Sequence, residues 1–269
     1  MSDNTEPRRR WTEEETLLSL YLYLQLPFGK LHSKNPEIIQ LAAAINRSSN
    51  SVAMKLCNFA SLDPKITESG RKGLDGASKL DRQVYAKFSQ DWNALVFQAS
   101  ELWNNRIALE PPELSTDDDK VKEPKFNFRT YEGASTSQVI VNQRIGQGFL
   151  RRAVMANFEE QCCITGISEP RLLVASHIRP WAKDIENRHN PANGLLLSGT
   201  FDRAFDSGLI SVDQNLKVRV ARNILENENL TTREYFSKYD GSNLLPSCRF
   251  DLNKDFLEWH MAYCFLDSL

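Results

Sequence analysis

A histidine, an asparagine and two aspartates follow one another in the second half of the chain. His177 ends the apolar run LLVASH, Asn193 lies 193 − 177 = 16 residues later, and Asp202 lies 202 − 193 = 9 residues after that. An imidazole can exchange a proton near neutral pH, and carboxylates are ligands for hard cations. On a helix, Asp206 would share one face with Asp202. A lone histidine at a strand end is usually structural, so its chemistry depends on these neighbours.

The segments around these residues resemble the HNH endonucleases. ASHIRPW, NPANGLLL and DRAFDSGLI are similar to a subgroup in which a SHI-x-PW strand, an NGLLL helix start and an FD-x-GLI exit recur in this order. RIGQGFLRRAV and CCITGI, which precede them, also resemble that subgroup, and the resemblance covers about residues 138–265. It implies a ββα-metal fold that hydrolyses DNA phosphodiesters with one divalent cation.

The resemblance also implies a role for each residue. His177 matches the general base, whose second ring nitrogen is oriented by a carbonyl of the following loop, and Asn193 matches the asparagine that holds this loop against the strand. Asp202 stands where a strict HNH motif has histidine, and its carboxylate suits Mg²⁺ or Mn²⁺, the expected cofactors. Ser176 replaces an acidic residue or histidine that serves as a metal ligand in many members, and a hydroxyl is a weak ligand. Asp206 either completes the metal site or caps the helix end.

Strands and a helix must position these side chains, which predicts an α+β fold class. The apolar and β-branched runs favour strands, and Gly208 favours a helix end. The predicted elements are a short strand or extended piece before a helix over about 147–158, a strand ending at Gly166, a strand ending at His177, a helix over about 198–205 and a strand over 209–212.

The first part of the chain is predicted to be helical. TEEETLLSLYLYLQL opens with a Thr12-x-x-Glu15 capping box and continues with helical apolar spacing up to Pro27. A helix from Pro36 to about 45, a polar turn and a helix over about 50–59 then outline a helix-turn-helix. Residues 1–103 are therefore interpreted as a DNA-binding domain, although such helix pairs also occur in helical domains with other functions.

Cationic and short polar side chains are the candidate DNA contacts. Those on the third helix are expected to be exposed, and those in the glycine-rich stretch 69–79 would form a wing, or else an ordinary surface loop. Arg179 would clamp a phosphate or stack on Trp181, whereas a solvated helix face explains the arginines at 151 and 152 equally well. A basic arm, or a tail, is expected at 8–10. The candidates are Ser51, Lys55, Arg71, Lys72, Arg151, Arg152 and Arg179.

Composition limits the remaining alternatives. The net charge of −2 neither supports nor excludes DNA binding. The cysteines number five and include no CxxC pair, which argues against a disulfide framework and a structural zinc site, and Cys162 and Cys163 are expected to pack in the core. No apolar run approaches the length of a membrane span and the N-terminus lacks a signal peptide, so a cytoplasmic protein without a membrane partner is expected.

Two further histidines are expected to have no catalytic role. His189 lies in the loop after His177 and is interpreted as polar surface. His260 lies among aromatic residues in a C-terminal amphipathic helix, where a partly buried and hydrogen-bonded histidine is expected.

These observations predict a helical domain over 1–103, a linker over 104–135 with prolines and an acidic run, and a nuclease domain over 136–269. The leading hypothesis is a metal-dependent endonuclease that cuts double-stranded DNA as a restriction or modification-dependent defence enzyme. A homodimer would supply one active site for each strand. The alternative is a DNA-binding regulatory protein with an inactive HNH domain, which Ser176 and Asp202 favour.

Overall fold

The computed structural model describes residues 9–107 and 138–268, with side chains described within 9–106 and 147–267. The described part is α+β, as predicted. The N-terminal part contains α1 (Glu13–Gln25), α2 (Pro36–Ala44), α3 (Ser49–Ala60), α4 (Pro64–Glu68), α5 (Lys79–Phe88) and α6 (Trp92–Ile107). It is followed by α7 (Gln138–Asn157), β1 (Leu173–His177), β2 (Gly194–Ser198), α8 (Gly199–Asp206), β3 (Ile210–Val212), β4 (Val218–Val220), α9 (Arg222–Leu225), α10 (Leu230–Ser237) and α11 (Lys254–Tyr263).

Helix α1 is the central helix of the N-terminal part. Its predicted capping box is present, because the Thr12 hydroxyl accepts from the Glu15 amide while the Glu15 carboxylate accepts from the Thr12 amide. Every residue from 15 to 25 is buried, and α3, α5, α6 and α7 pack around it. A helix that is apolar on most of its circumference needs such cover on all sides. The last of these four helices lies beyond residue 137, so α1 is covered by both parts of the chain.

Helices α2 and α3 form the predicted helix-turn-helix outline, with a turn at Asn46 in the left-handed region at φ 50°. The prediction that Lys55 is exposed is wrong. Only 4% of the residue is exposed, and its Nζ lies 2.6 Å from the Asp81 carboxylate. Lys55 shares the inner face of α3 with Val52 and Phe59, which are spaced three and four residues from it.

Helix α7 contributes to two hydrophobic cores. Phe149 and Ala153 pack in the core of the N-terminal helices, whereas Leu150 and Val154 pack in the core around the β1–β2 hairpin. The expected extended piece before this helix is wrong, because α7 is already helical from Gln138. Of the predicted linker, residues 104–107 belong to α6, and the remainder lies outside the described residues.

The hairpin that carries His177 is built differently from the prediction. β1 pairs antiparallel with β2, with His177 opposite Gly194, so the segment GLLLS is a strand and α8 begins only at Gly199. The expected strand at CCITG is wrong, because the segment folds back on itself as a turn in which the Gly166 amide donates to the Cys162 carbonyl. Both cysteines are fully buried, and the predicted helix and strand around Gly208 are present as α8 and β3.

Polar contacts join the N-terminal helices to the rest of the chain. Arg71 pairs with Glu159 at 2.8 Å, and Lys30 pairs with Glu160 at 2.6 Å. The buried Arg249 guanidinium lies 4.3 Å over the Tyr23 ring and donates to its carbonyl. None of the helices within residues 9–107 and 138–268 has the length and apolar character needed to span a bilayer.

Candidate active site

His177 lies at the end of β1, and one of its ring nitrogens contacts the backbone of the following loop. Its Nε2 lies 3.0 Å from the Arg188 carbonyl, and the Trp181 ring packs against it in a T-shaped arrangement with the ring centroids 5.5 Å apart. A carbonyl only accepts hydrogen bonds, so Nε2 carries the proton and Nδ1 keeps a free lone pair. The loop carbonyl expected from the family resemblance is therefore that of Arg188.

Burial favours the neutral form of His177. Desolvation lowers its pKa below the ordinary value, and the Arg188 carbonyl and the Asp206 carboxylate partly offset this effect. The imidazole is consequently uncharged at neutral pH, which is the form that can accept a proton.

Asn193 fixes the two ends of the loop that follows His177. Its Oδ1 accepts from the Arg179 amide at 2.8 Å, and its Nδ2 donates to the carbonyls of Arg179 at 3.2 Å and Asn187 at 3.3 Å. The side chain is fully buried, and each of these partners is backbone of the loop. The Asn193 amide therefore holds the backbone of this loop, and its part in catalysis stays a prediction.

Side chains within the loop 178–193 also hold one another. The Asp184 carboxylate accepts from the backbone and side-chain nitrogens of Asn187, and Arg188 Nε donates to the Trp181 carbonyl at 2.8 Å. His189 is not the exposed polar residue expected from the sequence: it is half-buried, and its Nδ1 lies 2.6 Å from Asn93 Oδ1. Burial first, then the charge of Arg188, lowers the pKa of His189 to about 4.

Asp202 and Asp206 lie one turn apart on α8, beside the hairpin. Asp206 is exposed, but partial desolvation and the neighbouring Asp202 raise its pKa, while Arg203 and His177 lower it. The Asp206 carboxylate therefore interacts electrostatically with both Asp202 and His177. Asp206 is the last residue of α8, and Ser207 follows as the C-cap.

The donor set suits a hard, hydrated cation. Among the described residues, no three His, Cys, Asp or Glu side chains are arranged to hold a metal ion together. Two carboxylates match Mg²⁺ or Mn²⁺, which keep several water ligands, better than zinc in a closed site with nitrogen and sulfur ligands. Ser176 is 4% exposed, and its Oγ finds no hydrogen-bond partner within the described chain, so this hydroxyl can still accept one polar partner such as a metal-bound water.

Several of the side chains predicted to contact DNA make contacts within the protein. Arg151 donates to the Leu173 carbonyl at 2.7 Å, Arg152 pairs with Glu37, and Arg71 is engaged with Glu159. Ser51 is half-buried, and Lys72 is exposed.

Arg179 packs against the C-terminal helix. Its guanidinium carbon lies 5.0 Å from the Phe256 ring and 5.8 Å from the Trp259 ring, and its Nη1 reaches Asp184 at 3.5 Å. The expected stacking of Arg179 on Trp181 is thus wrong, because Arg188 lies over that ring, 5.1 Å from its centroid.

His260 has the structural role expected of it. It is 3% exposed, and its Nδ1 lies 2.8 Å from the Ser211 hydroxyl. Sequence reasoning missed three residues at the site: Trp181, Arg188 and Asn93. Trp181 stands in the quoted segment ASHIRPW and Arg188 lies in the loop after it, but Asn93 lies 96 residues from His189, and no local pattern indicates that contact.

A comparison with protein-family models matches residues 162–213 to the HNH endonuclease family. The matched segment runs from Cys162 through the hairpin, its long loop and α8 to the strand β3. A comparison with curated proteins finds no match for the chain. HNH nucleases hydrolyse DNA phosphodiesters and generally use a divalent metal. Residues 162–213 of this chain are therefore an HNH endonuclease domain.

Proposed function

We propose that this protein is a metal-dependent DNA endonuclease in which His177 is the general base. The observation that carries the proposal is the 3.0 Å contact between His177 Nε2 and the Arg188 carbonyl within the matched domain. It fixes the tautomer with a free Nδ1 lone pair, as a base that takes a proton from water requires.

The side chains around the base supply the rest of the chemistry. Nδ1 accepts the proton as the water oxygen attacks phosphorus, and the Asp206 carboxylate stabilises the imidazolium that forms. Asp202 and Asp206 would hold the divalent cation, which when bound neutralises charge on the phosphate and on the leaving 3′-oxygen. Asn193 and the Arg188 carbonyl keep the ring in place during the reaction.

We further propose that the N-terminal helices bind double-stranded DNA. The helix-turn-helix outline of α2 and α3 supports this role, with Asn50 and Ser51 at the start of α3 and the exposed Lys72 as contacts. A recognition region joined to a nuclease domain fits a restriction or modification-dependent defence enzyme. A homodimer would place a second site at the opposite strand.

Cleavage of supercoiled plasmid tests the nuclease. We expect nicking or linearisation in Mg²⁺ or Mn²⁺, none in EDTA, and a loss of at least about hundredfold in His177→Ala. His32→Ala is the matched control, because His32 is exposed in the N-terminal part. Paired methylated and unmethylated plasmids test modification dependence, and sedimentation velocity tests the dimer.

A second candidate function is a DNA-binding regulator with an inactive HNH domain. It is favoured by the serine at 176 and by the lack of a group of three metal-binding side chains in the described chain. A gel shift that shows DNA binding, together with no cutting in any metal, would establish this candidate in place of the nuclease.

A further inference from the structure

Asn93, near the start of α6, makes three hydrogen bonds to the loop that follows His177. Its Nδ2 donates to the carbonyls of Ile185 and Glu186, both at 3.2 Å. Its Oδ1 accepts from His189 Nδ1 at 2.6 Å. One half-buried side chain from the N-terminal helices thus satisfies both polar ends of its amide on residues of the HNH domain.

These contacts lie on both sides of the atom that orients the candidate base. Ile185 and Glu186 lie three and two residues before Arg188, and His189 follows it directly, so Asn93 binds the backbone before this residue and the imidazole after it. The Arg188 carbonyl in turn lies 3.0 Å from His177 Nε2. A shift of this carbonyl would rotate or release the His177 ring, since Nε2 has no other hydrogen-bond partner among the described residues.

The same contact fixes the state of the second histidine. Because Asn93 Oδ1 only accepts, His189 carries its proton on Nδ1, and its buried Nε2 is left without a partner in the described chain. The Trp181 ring makes a T-shaped contact with each imidazole, with its centroid 5.5 Å from that of His177 and 5.3 Å from that of His189. His177, Trp181 and His189 therefore pack as one cluster, which Asn93 contacts at His189.

We infer that Asn93 is a positioning residue of the nuclease site: the N-terminal helices align the catalytic histidine through the Asn93 amide, in addition to any contact that they make with DNA. The inference rests on the proposed function for its kinetic consequence. Its structural consequence, the placement of the two histidine rings, does not depend on activity.

Two substitutions test the donor and the acceptor of the Asn93 side-chain amide separately. Asn93→Ala removes all three bonds, whereas Asn93→Asp has nearly the same shape and keeps an acceptor for His189 but loses the donor to the two carbonyls. Asn104→Ala is the matched control, since Asn104 is an exposed asparagine on the same helix. In a metal-dependent cleavage assay on a duplex, we expect kcat to fall about ten- to hundredfold in both Asn93 variants, with KM within about twofold and Asn104→Ala unchanged.

Long-range ¹H–¹⁵N spectra of the imidazoles provide the readout that a purely structural role would not change. The chain has 4 histidines, so the spectrum is simple to assign. We expect the protonated His189 Nδ1 signal of the wild type to be lost in Asn93→Ala, and the protonated His177 Nε2 signal to exchange or broaden. Asn93→Asp should retain the His189 signal and still perturb that of His177.

The outcomes are distinct. Unchanged His177 resonances in both variants, with unchanged kcat, would overturn the inference. A lower kcat that follows only a lower melting temperature, with native histidine spectra, would also overturn it. An inactive wild type with perturbed His177 resonances in the variants would contradict the proposed function and still support the positioning of His177 by Asn93.

Discussion

The imidazole of His260 stacks on the ring of Phe205, with the centroids 3.7 Å apart and the planes 9° from parallel. Ser211 completes its contacts at Nδ1. Burial lowers the pKa of His260 to about 4. Because Phe205 immediately precedes Asp206, α11 places an uncharged histidine against the inner face of the helix that carries the candidate metal ligands.

This histidine makes the stability of the protein depend on pH. Its pKa in the folded protein is about 4, below the ordinary value of 6.5, so its full contribution is present above pH 6.5 and is lost as the pH falls toward 4. Between pH 7.5 and 5 we expect it to remove about 2 kcal/mol of unfolding free energy. Urea denaturation of His260→Gln should show a correspondingly smaller loss over this interval. His32→Gln, at an exposed position, should behave as the wild type does, and equal pH dependence in all three proteins would contradict the assignment.

The Lys55–Asp81 pair should be sensitive to the loss of one partner. Both side chains are buried and 2.6 Å apart, so Lys55→Met leaves the Asp81 carboxylate buried without its counter-ion. We expect a cost of about 3–5 kcal/mol in unfolding free energy, part of which returns in the double variant with Asp81→Asn. The exposed pair Lys87–Glu13, at 3.2 Å, is the control, and Lys87→Met should change stability by less than about 1 kcal/mol. Similar effects at the two lysines would argue against a buried ion pair.

A side chain at position 194 should destabilise the protein while Val154 is present. Gly194 lies opposite His177 in the hairpin, and an added Cβ would overlap a Val154 methyl group of α7. We expect Gly194→Ala to destabilise the protein by about 1–3 kcal/mol and to lower cleavage, because the strand that faces His177 must move. The double variant Gly194→Ala/Val154→Ala should recover part of the cleavage rate. Failure of the double variant to recover any activity would indicate that another contact limits this position.

The carboxylates of α8 should determine the metal requirement. Asp202→Asn and Asp206→Asn each remove a proposed charged oxygen ligand, so we expect the Mn²⁺ concentration for half-maximal cleavage to rise at least about tenfold. Glu234→Gln, which neutralises an exposed carboxylate on α10, should leave the requirement unchanged. If Asp206→Asn left it unchanged while Asp202→Asn raised it, Asp206 would act on His177 by charge alone.

The sequence predicted features that depend on local interactions. The capping box of α1, the ends of α2 and α3, and His177 at a strand end all follow from neighbouring residues, and the structure contains them. Lys55 was predicted to be exposed because its side chain is charged, although the apolar residues around it at helical spacing indicate the buried face of α3. Its burial is possible because the Asp81 carboxylate, 26 residues away, pairs with it. The strand at Gly194 was expected to be a helix start because of the family resemblance, and a short buried apolar run fits either a strand or a helix. The role of Asn93 depends on a contact across the two cores, which no local pattern encodes.

Helix α7 has one further consequence. Its alternate faces complete the core around α1 and the core around the hairpin, so each half of the chain relies on this helix for cover. Recombination that exchanged the N-terminal helices for another domain would leave the Phe149 and Ala153 face of α7 uncovered, unless the new domain presented a matching apolar surface. With the proposed DNA-binding role of the N-terminal helices, new specificities should therefore arise by substitutions on the surface of a retained helical half, and less readily by wholesale replacement of that half.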